Sequence, residues 1–294
     1  MVGETPRGAV FMPRGGFLSI GVIMKRSLYT KCVANYPRKG QHLLFNTLTH
    51  SIITVDDELK GYIDNPDEYR GEVPAPYREE LQDRFMIVPD SAADTSLIED
   101  YFKEIKSITE KSLEVTLLTT FACNFACTYC VEDGVICNIR MNEETTAKCA
   151  SYIIDQAGKN NVETINLYFY GGEPLMNIPP IRSIAKAVRK HCEKKGLEFG
   201  FALTTNGALL KPSLVRELKK LGLEGVKVTI DGDRAHHNAK RPYKNGEGSF
   251  DDIIENIRYA AKHIAVDVGG NFDDTNVDSF ESLILYLRDI GLHR

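Results

Sequence analysis

The feature that most constrains this chain is a strand-then-helix repeat running from about residue 113 to 291. "LEVTLLT" (113–119) has the length and apolar run of a buried strand. A helix is expected to follow, with Asn142 as N-cap, Gly158 just past its end, and Ala147, Ala150, Ile153, Ile154 and Ala157 on one face. "TINLYFY" (164–170) precedes a helix with Pro180 near its first turn. "LEFGFALT" leads to a helix over 212–221 closed by Gly222, and "GVKVTI" to a helix over 250–263 with Ser249 as N-cap. "IAVDVGG" leads to a helix from Asp278 to Ile290 with an Asp278…Glu281 capping box and Gly291 as its stop. Five β-then-α units in succession predict an α/β fold, a parallel sheet with helices outside it, open or barrel-like.

In such sheets ligands bind at the C-terminal ends of the strands. The unusual stretches of the sequence fall there. "FACNFACTYC" (121–130) follows the first strand and "GGEP" (171–174) the second. "TTNG" (204–207) ends the third, "TIDG" (229–232) the fourth and "GGNFDDTN" (269–276) the fifth. Taken alone, GGEP, Asn206–Gly207 and Asp231–Gly232 read as ordinary turns. His236 and His237 read as solvated loop residues.

Upstream, "HLLFNTLTHSIITV" (42–55) suggests a hairpin broken at Asn46–His50, followed by a short helix near 56–64. Residues 65–93, with several prolines and many charges, read as loops, and a helix is expected at about 95–107. This makes 24–112 a small α+β region. Residues 1–23 show no periodicity and read as a disordered extension or an over-called start. They have no small-residue cleavage site, so a signal peptide is not expected. Seven cysteines, an odd number without even spacing, point to a reduced, cytoplasmic setting. The formal charge is 36 − 41 = −5, with no broad basic field, so nucleic acid is not expected as a partner. The basic run "RKHCEKK" (189–195) lies where a helix should end and complements its dipole. No apolar stretch approaches the roughly 18 residues that cross a membrane.

Cys123, Cys127 and Cys130 form a C-x3-C-x2-C cluster. Clustered thiolates bind zinc or iron–sulfur. A structural zinc takes four ligands, and Cys137, seven residues beyond Cys130, could supply the fourth. An electron-transfer [4Fe–4S] centre also takes four cysteines, whereas a three-cysteine site leaves one iron open to an outside ligand. Cys32, Cys149 and Cys192 read as structural, and Cys137 otherwise as a loop thiol.

The cysteine motif, with aromatic Tyr129 before its last cysteine and with YGGEP, TNG and IDG at successive strand ends, resembles the radical S-adenosylmethionine (radical SAM) superfamily over roughly 113–291. The resemblance implies a partial parallel (β/α) barrel. It also implies a [4Fe–4S] cluster held by Cys123, Cys127 and Cys130, with S-adenosylmethionine chelating the open iron and being cleaved reductively to a 5′-deoxyadenosyl radical. Backbone oxygens of Gly171, Gly172, Glu173 and Pro174 would receive the methionine ammonium. Tyr129 would pack near the adenine. Thr205, Asn206, Thr229 and Asp231 would lie near the ribose and carboxylate. A one-electron donor such as flavodoxin or ferredoxin is implied as a partner.

The run Asp231-Gly232, His237-Asn238, Arg241, then Gly246, Gly248, Ser249, Phe250 resembles the radical SAM enzymes that carry a C-terminal SPASM or twitch auxiliary-cluster domain, such as sulfatase maturases. Many of these modify peptides or proteins, and the segment 42–59 looks like the opening of such maturases, where an N-terminal region handles the substrate. A peptide or protein substrate is therefore expected. The alternatives are a small-molecule substrate and a non-catalytic cluster-binding remnant. The family barrel has six βα units where five are counted here, and no cysteine follows Cys192. The radical SAM core is thus expected to be shortened after its fifth unit and to lack the auxiliary-cluster domain.

Overall fold

The computed structural model describes residues 24–65, 73–89, 91–132, 134 and 137–292. The expected extension at 1–23 lies outside the described residues. The chain forms two compact units, divided between Ser107 and Ile108.

In the first unit, strands β1 (Lys25–Arg26), β2 (Thr30–Val33), β3 (Gln41–Asn46) and β4 (Ile52–Asp56) precede helix α1 (Asp57–Asp64). Strands β2, β3 and β4 form an antiparallel sheet, with Leu44 opposite Ile53 and Cys32. The polar break expected between the hairpin strands is a turn in which Asn46 Oδ1 accepts from the N–H groups of Leu48 and Thr49. Asp56 caps α1 by accepting from Leu59 N at 2.8 Å. The chain continues with α2 (Ala75–Asp83), β5 (Ile87–Val88), which pairs with β1, and α3 (Ser91–Glu110). Helix α2 corrects the reading of 65–93 as loops. Pro74 is its N-cap and Pro76 lies in its first turn, where a missing N–H costs nothing. Leu44, Val55, Leu59, Ile63, Leu81 and Met86 make a core of this unit's own.

The second unit is an alternation. It runs β6 (Ser112–Thr120), α4 (Glu143–Asn160), β7 (Thr164–Gly171), α5 (Ile178–Lys195), β8 (Glu198–Thr205), α6 (Pro212–Leu221) and β9 (Leu223–Thr229). It continues with α7 (Arg234–Lys240), α8 (Phe250–Ala260), β10 (Ala265–Gly269) and α9 (Phe280–Asp289). The five strands β6 to β10 lie in sequential order in one sheet, every neighbouring pair parallel. This is the α/β architecture expected. Ile165, Leu167, Phe169, Leu203 and Val228 bury one face of the sheet against Ile153, Ile181, Val188, Leu218 and Ile257 of the helices. Burying each such side chain contributes about 1.5–3 kcal/mol relative to leaving it exposed.

The helix ends differ in detail from expectation. Asn142 caps α4 as expected, accepting from Thr145 N, but α4 runs through Gly158 and closes on Asn161 in the left-handed region, at φ 50°. Gly222 closes α6 at φ 111°. The Asp278…Glu281 capping box does not form, because a 3-10 turn over Val277–Ser279 precedes α9. Among the described residues no helix is long and apolar enough to cross a membrane.

Candidate functional site

The loop from Thr120 to Cys130 leaves β6 at the sheet's C-terminal edge and packs directly against the end of β7. Gly172 N donates to Thr120 O at 3.0 Å, and Glu173 N donates to Ala122 O at 2.8 Å. A Cβ on Gly171, at φ +144°, would stand 2.2 Å from Thr120 O, and one on Gly172 2.6 Å from Ala122 O. The paired glycines therefore admit the backbone leading into Cys123.

Glu173 is fully buried. Its Oε1 accepts from Leu175 N at 3.0 Å and from the Thr205 hydroxyl at 2.8 Å, and its Oε2 accepts from Asn206 N at 2.7 Å. Burial pushes its carboxyl above the usual range, and those three donors work against the shift. The side chain thus bolts the loop after β7 to the loop after β8. Asn206 extends the linkage to the cysteine loop, donating to Asn124 Oδ1 at 2.8 Å and lying 3.9 Å from Cys123 Sγ.

A second node forms at the ends of β9 and β10. Tyr129 donates its hydroxyl proton to Asp231 Oδ2 and accepts from Arg241 Nη1 at 2.6 Å and Asn271 Nδ2 at 3.0 Å. Asn271 N donates to Asp231 Oδ1 at 2.7 Å, and Arg241 lies 3.9 Å from the Asp231 carboxylate. Burial pushes the Tyr129 phenol up to about 12, Arg241 opposing and Asp231 assisting. Thr229, at the end of β9, pairs in register with Gly269.

The three thiols lie on one loop, within electrostatic reach of one another. Burial raises Cys123, and it raises Cys127 to about 11 against the pull of Arg241. Among the described residues no three His, Cys, Asp or Glu side chains gather as a metal-ion site requires. Thiolates are the donors that an iron–sulfur cluster takes, and Cys123, Cys127 and Cys130, on the one loop after β6, would supply three of them. Arg241 supplies a second sign of fit. Its guanidinium is largely buried and its Nε has no partner, which an anionic ligand group would complete.

All nine residues expected to bind cofactor, Tyr129, Gly171, Gly172, Glu173, Pro174, Thr205, Asn206, Thr229 and Asp231, lie with the three cysteines at this strand-end edge. The side chains of Glu173 and Thr205 are engaged with each other. Arg241, Asn271 and Asn124 join the site too, although none is expected there as a cofactor-binding residue: each lies inside a stretch that the sequence marks, the run 231–250, "GGNFDDTN" and "FACNFACTYC" respectively. His237 corrects its reading as a solvated loop residue. It sits on α7 and is fully buried, with burial pushing its pKa down to about 3.

The family model described as the radical SAM superfamily matches residues 117–287, more than half of the chain. The chain belongs to the radical SAM superfamily. The superfamily uses a [4Fe–4S] cluster and S-adenosylmethionine. Among curated proteins, it is 30% identical over 165 residues to a GTP 3′,8-cyclase of Synechococcus sp. (strain CC9605), covering 53% of this chain and 44% of that protein. It is 24% identical over 167 residues to the radical SAM cyclopropyl synthase TigE of Paramaledivibacter caminithermalis, covering 52% of this chain and 35% of TigE. The chain thus spans less than half the length of either relative. Among solved structures, anSMEcpe with bound AdoMet superposes with a TM-score of 0.53 at 20% identity, over 60% of this chain and 48% of that one, a likeness of fold.

Proposed function

We propose that this chain is a radical SAM oxidoreductase acting as a peptide maturase, with Cys123, Cys127 and Cys130 holding the cluster. The observation that carries the reading is the three-thiol loop pinned at the C-terminal edge of a parallel sheet, beside a buried arginine with an unpartnered nitrogen. Bound there, the cluster and S-adenosylmethionine supply one-electron reductive cleavage of a carbon–sulfur bond and hydrogen abstraction from the substrate. The protein's residues bind and orient. Backbone oxygens of the Gly171–Pro174 stretch accept from the methionine ammonium, and the Arg241 guanidinium meets the carboxylate. Tyr129, Thr205, Asn206, Thr229 and Asp231 surround the adenosyl part. The hydrogen-bonded ends of β7, β8 and β9 keep these groups in place without reorganisation when the ligand arrives.

A peptide substrate is supported by the resemblance of 42–59 to the opening of peptide maturases, a stretch that includes most of the β3–β4 hairpin and the first three residues of α1, in a unit with its own core. A small-molecule substrate is the second reading, favoured by the 30% identity to a GTP 3′,8-cyclase. Anaerobic loading with iron and sulfide, then dithionite and S-adenosylmethionine, tests the common core. Formation of 5′-deoxyadenosine supports it, and an iron-loaded chain that never forms it overturns it. Stimulation by candidate peptides but not by GTP supports the first substrate class, and the reverse result supports the second. Cys127→Ala is expected to take up no cluster, and a variant that kept its brown colour and iron would contradict the ligand assignment.

A further inference from the structure

The cysteine loop is gripped from a second side by the segment after α7. Thr128 N donates to Lys240 O at 2.9 Å, Ala126 N to Pro242 O at 2.9 Å, and Lys244 N to Asn124 O at 3.1 Å. Phe125 and Tyr243 form an antiparallel bridge, their rings edge to face at 4.9 Å. The loop that carries the thiols therefore takes its shape partly from residues 240–244, more than 100 positions away along the chain.

Those residues are held by a buried chain of side-chain hydrogen bonds. Asp231 N donates to His237 Nδ1 at 3.2 Å, which leaves the ring proton on Nε2. His237 Nε2 donates to Ser249 Oγ at 3.0 Å, and Ser249 donates its own proton to Arg241 O at 2.7 Å. Ser249 was expected to cap α8. It stands at the N-cap position but makes no cap bond, because its hydroxyl is used here. The chain of bonds closes on itself, since the Arg241 guanidinium reaches the Tyr129 hydroxyl and Tyr129 returns to the Asp231 carboxylate. Asn238 secures the same turn by accepting from Phe250 N at 3.0 Å, and a Cβ on Gly248 would strike its amide at 2.4 Å.

We propose that His237 and Ser249 are positioning residues, a clasp that fixes the three-cysteine loop relative to Asp231 and Arg241. The pair touches no reacting atom and acts through the loop. Its part in S-adenosylmethionine binding rests on the function proposed above, while the clasp itself is a property of the iron-free chain.

The test compares Ser249→Ala, which breaks the clasp, with Ser249→Thr, which keeps the hydroxyl, in the full chain. Amide hydrogen exchange of the iron-free protein should show Ala126 and Thr128 exchanging about tenfold faster in Ser249→Ala, the worth of one buried hydrogen bond. Ser249→Thr should restore the wild-type rate, and β7 amides should stay protected in both variants. After anaerobic loading to equal iron, Ser249→Ala should bind S-adenosylmethionine about tenfold more weakly, read from the ligand-induced change in the spin-resonance spectrum of the reduced cluster, with Ser249→Thr near wild type. Unchanged exchange at Ala126 and Thr128 in Ser249→Ala would overturn the proposal. So would loss of protection spread equally over β7, which would assign the pair to general packing, and so would a Ser249→Thr variant that behaves like Ser249→Ala. A wild-type chain that took up no iron would sink the functional reading alone, and the exchange rates would still judge the clasp.

Discussion

Glu173→Gln offers a sharp test of how the strand-end loops are joined. The native carboxylate accepts three hydrogen bonds, two at Oε1 and one at Oε2. A glutamine keeps one acceptor oxygen and turns the other into a donor. If its oxygen faces Leu175 and Thr205, its amide confronts Asn206 N–H. In the reverse orientation Leu175 N–H loses its partner. The Thr205 hydroxyl cannot fully adapt by rotating, because it also accepts from Gly207 N at 3.1 Å. Either way one buried backbone donor is orphaned and one charge-assisted bond is lost. Against this, the neutral side chain is cheaper to bury than the carboxylate, whose raised pKa records that penalty. The net expectation is a loss of about 2–4 kcal/mol. Glu173→Ala, which orphans all three donors, should lose more. The chain has no tryptophan, so urea unfolding of the iron-free protein is best followed by circular dichroism. A Glu173→Gln variant within about 0.5 kcal/mol of wild type would refute the reasoning, because that is the range of a surface substitution.

Further outcomes follow from the same geometry. Gly172→Ala places a methyl 2.6 Å from Ala122 O, so it should cost about 1–3 kcal/mol and lower iron uptake on reconstitution. An unfolded histidine protonates near 6.5. Buried His237 does so only near about 3, so below pH 6.5 the unfolded chain holds a proton that the folded chain lacks. Stability from this residue is thus fully present above pH 6.5 and falls as pH drops toward 3, by about 1.4 kcal/mol per pH unit. Urea unfolding at pH 7 and pH 5 should show a wild-type loss about 2 kcal/mol larger than that of His237→Asn. Glu217→Ala, which removes an exposed ion pair with Arg182 between α5 and α6, should cost less than about 1 kcal/mol by the same unfolding assay.

The alternation of strands and helices was legible because each strand is a compact apolar run and each long helix carries an apolar face. The placement of cysteines and glycine-rich turns at strand ends then followed from topology. Less was legible where contacts are distant in sequence. Tyr129 and Asp231 are 102 positions apart, and nothing local announces their hydrogen bond. His237 looked solvated because "DRAHHNAK" is polar apart from two alanines, yet the Asp231 amide and the Ser249 hydroxyl satisfy both ring nitrogens inside the protein. Ser249 looked like a helix cap for the same local reason. Helix α2 was hidden by prolines that mark its start rather than a loop.

The most direct test of the central claim is the spin-resonance spectrum of the chain, loaded anaerobically with iron and sulfide and reduced with dithionite, before and after S-adenosylmethionine is added. A [4Fe–4S] signal that changes on addition is predicted, because three thiolates leave one iron open to the ligand. A reduced cluster whose spectrum does not respond to S-adenosylmethionine would contradict the account.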